Sequence, residues 1–85
     1  MRTPVQIGKM LRRVRLNEDV TQQIFAEKIG ISRMCYCNYE KGRRMPTDEH
    51  KLKIARYLGK TVDEIFFSGD DTERSKKVAR NDKAG

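Results

Sequence analysis

Arg33, Met34, Cys37 and Asn38 would share one face of a helix, since each helical residue advances about 100°. Their chemistry suits the edges of nucleic-acid bases. An Arg guanidinium can bond bidentately to guanine O6 and N7, and an Asn amide to adenine N6 and N7. A Met side chain can touch a thymine methyl. Tyr36 and Tyr39 fall roughly opposite, where a helix would face a core. For an isolated stretch of this length the bland alternative is stronger, because Arg and Asn commonly just solvate an exposed helix. The neighbouring segments decide against it.

A short helix precedes this one. Thr21 can cap it, and Phe25, Ala26 and Ile29 lie on one face. Gly30 can take the positive φ of a bend, and Ser32 can cap the second helix. Two helices joined by a turn of about three residues with Gly at the bend form a helix-turn-helix. In that arrangement the second helix enters a DNA major groove. Ala26 is small enough for the second helix to cross close by. Gln22 opens the first helix, where its amide and the free backbone N–H groups can grip a phosphate. Lys41, Arg43 and Arg44 follow the second helix as a basic loop placed for phosphate contacts, with a solvated turn as the alternative.

The remaining segments supply a frame for this pair. Thr3-Pro4-Val5-Gln6 is a helix start, with a capping Thr, a Pro at the first helical position and a Gln completing a capping box. Ile7, Met10, Leu11 and Val14 follow at helical spacing, and Asn17-Glu18-Asp19 ends the run. Gly8 is unfavourable by about 1 kcal/mol relative to Ala inside a helix, and nothing in the sequence accounts for it. Gly42 and Pro46 mark a loop. Thr47 can cap a fourth helix carrying Leu52, Ala55 and Leu58, with Ile54 beside them, ending at Gly59. Thr61-Val62-Asp63-Glu64 is a second capping box and opens a short fifth helix with Ile65, Phe66 and Phe67. The spacing therefore predicts an all-α domain of five helices over residues 1–69.

Residues 70–85 differ in character, with five basic and four acidic residues and only Val78, Ala79 and Ala84 apolar. Such a segment cannot bury enough surface to offset its ordering entropy, so a disordered charged tail is expected. The whole chain of 85 residues carries a net charge of +7, and nearly all of it belongs to residues 1–69. A basic domain of this size favours a polyanionic partner. No apolar run reaches the roughly 18–20 residues of a membrane span, and no signal peptide is evident, so a cytoplasmic location is expected. Cys35 and Cys37 are two residues apart on a helix, too divergent for a disulfide with each other. With His50 they offer at most three metal ligands on different elements, so no metal, cofactor or small-molecule ligand is expected. No catalytic constellation is present, which argues against an enzyme.

The motifs IGKMLRRVR, TQQIFAEKIGIS, YEKGRRMP and LGKTVDEIF, over about residues 6–67, together resemble the Cro/cI-type (XRE) helix-turn-helix repressors. The resemblance implies a five-helix, lambda-repressor-like domain that binds double-stranded DNA, usually as a homodimer on a palindromic operator. By position, Arg33, Met34, Cys37 and Asn38 match that family's base readers, and Gln22 its phosphate-clamping Gln. Arg15 and Glu40 match a pair tied between the first and third helices, which makes Glu40 structural. The dimer surface is expected at Val62, Ile65, Phe66 and Phe67, plain core being the competing assignment. There are departures. Tyr36 stands where Ile or Val is usual, Asp48 and Lys51 where helix four is often Leu, and Ile24 where an acidic residue would complete a capping box with Thr21. Restriction–modification controllers and antitoxins of the same fold are alternatives. So, from another class, is a protein-interaction module that has lost DNA binding.

Overall fold

A computed structural model describes residues 1–67 of the chain. The expected disordered tail at 70–85 lies outside the described residues. Five helical elements follow one another: α1 (Pro4–Glu18), α2 (Gln22–Ile29), α3 (Arg33–Glu40), α4 (Asp48–Leu58) and α5 (Asp63–Phe67). The first four are α-helices, and α5 is a single turn wound in the wider π form. No strand occurs among the described residues, and none of their helices is long and apolar enough to cross a membrane.

The helix starts are set by side chains that accept otherwise unmatched backbone N–H groups. Thr3 and Gln6 close a reciprocal capping box on α1. Thr21, Ser32 and Thr47 each accept the N–H three residues on, from Ile24, Cys35 and His50. Thr61 and Glu64 form the second box, at the start of the last turn. At the other ends, Gly30 and Gly59 take positive φ as C-caps of α2 and α4. The C-cap of α1 is Asp19 instead, at φ 59°, a left-handed conformation that Asp tolerates better than most non-Gly residues.

The core lies between α1, α2, α3 and α4, with α5 closing one end. Ile7, Leu11, Phe25, Tyr36, Ile54 and Phe66 are fully buried, and Ala26, Tyr39, Ala55 and Ile65 nearly so. Phe25 is central. Its ring meets Tyr36 edge-on at 5.3 Å and Tyr57 at 5.5 Å between centroids. Edge-to-face geometry aligns the positive ring edge of one with the negative face of the other. The chain start is tied to the last turn, where the Arg2 N–H donates to the Phe66 carbonyl at 2.9 Å.

Gly8 has its explanation here. A Cβ at Gly8 would sit 2.5 Å from the Glu40 carbonyl oxygen and 2.6 Å from that of Tyr39. Both are backbone atoms. Gly8 is the point at which α1 crosses directly onto the end of α3.

Two expectations are corrected by the packing. Leu52, expected on the core face of α4, is 54% exposed, whereas Lys51 is buried alongside Ile54 and Ala55. Lys51 is accommodated because its stem covers apolar surface while its ammonium stands over the Phe66 and Phe67 rings, 5.6 and 5.3 Å from their centroids. The second correction concerns the expected dimer surface. Ile65 and Phe66 are 3% and 0% exposed within a single chain, so they are interior residues and cannot form an outer surface. Val62 packs half-buried at the core's edge, and of the four only Phe67 is largely exposed.

Candidate nucleic-acid interface

The outward face of α3 is set by how its inward face is fastened. Tyr36 and Tyr39 fill the core side, and the Tyr39 hydroxyl lies 2.7 Å from His50 Nδ1 on α4. At the C-terminal end, Arg15 of α1 grips Glu40 with two bonds, Nε to Oε2 at 2.8 Å and Nη2 to Oε1 at 3.3 Å. Its third nitrogen, Nη1, donates to the Val20 carbonyl at 3.0 Å. One guanidinium thus joins α1, the turn before α2, and α3. A planar fork matched to a carboxylate fixes direction as well as distance.

Two further groups complete this cluster. The Tyr36 hydroxyl donates to Glu40 Oε2 at 2.5 Å, and Gln22 Nε2 donates to Glu40 Oε1 at 2.8 Å. Tyr36, standing where Ile or Val is usual, keeps its ring in the core and its hydroxyl on Glu40. Burial disfavours the Glu40 carboxylate, but hydrogen bonds from Arg15, Tyr36 and Gln22 outweigh it and hold the carboxyl below its ordinary range. The Glu40 bond raises the Arg15 value against the opposing effect of burial. Burial first, and then the neighbouring carboxylate, push the Tyr36 phenol up. Glu40 is therefore charged but saturated with donors. It leaves no open negative charge beside the outward face of α3.

That outward face carries the four residues expected to read bases. Arg33 and Met34 stand in solvent, Met34 at 75% exposure. Cys37 and Asn38 are half-buried on the same side. The loop after α3 turns back beside them. The Arg43 N–H donates to the Asn38 backbone carbonyl at 3.0 Å, and Arg43 Nη1 approaches Asn38 Oδ1 at 3.5 Å. Lys41, Arg43 and Arg44 are all exposed next to this face. The turn fits closely because Gly42, at φ 75°, brings its backbone against Val5 of α1, where a Cβ would lie 3.0 Å from the Val5 Cα.

Gln22 is placed differently from the sequence expectation. Its amide faces inward, donating to Glu40 and accepting from Cys37 Sγ at 3.3 Å. The amide is thus committed to orienting two residues of α3. What remains for an anion at this helix start is the backbone, because the first N–H groups of a helix have no partner within it.

Sequence reasoning found the Arg15–Glu40 pair but missed the two groups that complete it. A signal for Tyr36 was present: it stands four residues before Glu40, a spacing at which helical side chains meet. The role of Gln22 depends on the crossing of α2 and α3, and no spacing along the chain reports that. Among the described residues, no group of three His, Cys, Asp or Glu side chains is placed to hold a metal ion, and Cys35 and Cys37 are free thiols.

A family model described as Helix-turn-helix matches residues 11–65, from the middle of α1 through most of α5. The chain belongs to the helix-turn-helix family. An uncharacterised HTH-type transcriptional regulator of Methanocaldococcus jannaschii is 34% identical over 61 residues, spanning 72% of this chain and 92% of that protein. The transcriptional repressor RstR of the cryptic phage CTXphi in Vibrio cholerae is 38% identical over 61 residues, 72% of this chain and 54% of the repressor. The endothelial differentiation-related factor 1 homolog of Gallus gallus is 33% identical over 58 residues, 68% of this chain and 39% of that protein. The chain thus spans nearly all of the archaeal regulator but about half or less of the other two. No solved structure matches it. Within this helix-turn-helix, α2 and α3 are the paired helices, and the Cro/cI-type likeness read from the sequence is the right one.

Proposed function

We propose that this helix-turn-helix protein is a sequence-specific transcriptional regulator of double-stranded DNA. It acts as a homodimeric repressor that places α3 in the major groove of a palindromic operator. The observation that carries this reading is the outward side of α3. Arg33, Met34, Cys37 and Asn38 are presented together, Lys41, Arg43 and Arg44 border them, and the neighbouring carboxylate is fully occupied. In this arrangement Arg33 and Asn38 read base edges, Met34 and Cys37 supply apolar contact, and the basic loop holds phosphates. Gln22 serves the phosphate backbone through the N–H groups at its helix start, while its side chain steadies α3. The relatives named as transcriptional regulators and as a repressor support the role.

The dimer forms through the end of the domain that carries α5, where Val62 and Phe67 remain available at the surface. In this reading the regulator acts in the cytoplasm and uses no cofactor and no catalytic step. Controllers of restriction–modification loci and antitoxins would use the same reading face. A module that had lost DNA binding is disfavoured, because the exposed α3 side and its loop are basic, not acidic or apolar.

Selection of bound duplexes from a random pool tests the proposal. It should enrich two inverted half-sites whose centres lie about one helical turn, roughly 10 base pairs, or a multiple of it, apart. Recovery of single, unpaired sites would remove the dimer, and recovery of no common sequence would remove the specific reader.

A further inference from the structure

Much of the positive charge lies away from α3. Gly8 and Arg15 mark the side of α1 that faces α3. Gln6 and Arg13 are each two residues from one of them, hence about 160° around the helix. On that far side are two adjoining open hollows of about 310 and 280 Å³, sharing Arg2, Met10 and Arg13 as walls. Arg2, Lys9 and Arg13 line the first, and Lys60 extends the basic rim into the second. Met10, Val14 and Leu58 give the second hollow an apolar floor. Among the described residues, none of the four cations forms an ion pair. The acid on the rim, Glu64, is engaged with the Thr61 cap.

We infer that this groove between α1 and the α4–α5 end binds an acidic, apolar peptide segment of a partner protein. The charge pattern selects the occupant. Cations gathered on one rim repel one another and gain by meeting carboxylates, while half-buried Met10, Val14 and Leu58 offer contact to an aliphatic side chain. A nucleic acid would match the charge but would gain little from an apolar floor. A duplex held on α3 lies on the other side of α1. The groove can therefore be filled while DNA is bound, so a regulator on its operator could recruit a protein through it.

Fluorescence anisotropy of the full chain tests this with a labelled peptide of glutamates and leucines, two glutamates to each leucine. The peptide should bind saturably. A version with lysine for glutamate should not, nor should one with serine for leucine. The double variant Lys9→Glu with Arg13→Glu should weaken the peptide about tenfold or more, while Lys9→Arg with Arg13→Lys keeps it. Duplex DNA should bind the charge-reversed variant within about twofold of wild type and should not displace the peptide. Equal binding of the glutamate and lysine peptides would overturn the proposal. So would displacement of the peptide by DNA, or loss of DNA affinity with the charge reversal, since the groove would then be a nucleic-acid surface. Peptide binding that arises only after Asp70, Asp71 and Glu73 are changed to Asn, Asn and Gln would make the chain's own segment the occupant, and would also overturn it.

Discussion

Replacing Gly8 by Ala should destabilise the domain, although helix propensity predicts the reverse. In the middle of a helix, Ala is favoured over Gly by about 0.5–1 kcal/mol. In this fold the added Cβ would meet the carbonyl oxygens of Glu40 and Tyr39 at 2.5 and 2.6 Å. Neither atom can rotate away, because both belong to the backbone at the end of α3. Relief requires α1 and α3 to separate by several tenths of an ångström. That separation also strains the Arg15–Glu40 fork, whose shorter bond is 2.8 Å. Overpacking costs about 1–3 kcal/mol, and two backbone contacts this short place it at about 2–3 kcal/mol, so after a propensity gain of about 1 kcal/mol the net loss is roughly 1–2 kcal/mol. For a domain of this size each kcal/mol corresponds to about 4–8 °C in Tm, giving a fall of about 5–15 °C. Far-UV circular dichroism melting of Gly8→Ala beside the exposed control Arg12→Ala measures it directly. A Tm equal to or above wild type would show that α1 and α3 do not depend on this contact.

Two further substitutions probe the cluster at Glu40. Because the folded-state pKa of Glu40 is held below its ordinary value, its stabilisation is fully present above the unfolded carboxylate value of about 4.3 and is lost as pH falls through the folded value. Glu40→Gln should cost about 3 kcal/mol at pH 7 by leaving Arg15 without its partner, and should flatten the acid-side decline in stability. Urea unfolding at neutral and acid pH checks this, and parallel losses in variant and wild type would contradict it. Tyr36→Phe should cost about 1.5–3 kcal/mol, the range for a hydrogen bond to a charged group, and let the Glu40 pKa rise. An NMR titration of the Glu40 carboxyl that showed no upward movement would remove Tyr36 from the cluster.

Local features of this fold are written in short stretches of sequence. Thr3, Thr21, Ser32, Thr47 and Thr61 announce the helix starts, and the spacing of Phe25, Ala26, Ile29, Tyr36 and Tyr39 gives the buried faces of the paired helices. The features that sequence did not disclose all depend on two elements meeting. Gly8 looks like a defect until α3 is laid across it. Lys51 looks like a surface residue until the Phe66 and Phe67 rings stand beneath its ammonium, and Leu52 then turns outward in its place. Gln22 sits where a phosphate clamp is expected, yet its amide is drawn inward by Glu40 and Cys37. Ile65 and Phe66 have the composition of an interface but close the end of the core. Periodicity marks which side of a helix is apolar. It does not say whether that side meets its own chain or another.

One paired titration separates base reading by α3 from phosphate holding by its flanking loop. Arg33→Ala and Arg44→Ala would each be measured against the selected operator and a scrambled duplex across a salt series. Arg33→Ala should weaken operator binding by about 1–3 kcal/mol and hardly change the scrambled duplex. Arg44→Ala should weaken both alike and reduce the salt slope by about one. Equal losses on both duplexes for Arg33→Ala, with the preference for the operator intact, would show that Arg33 does not read bases.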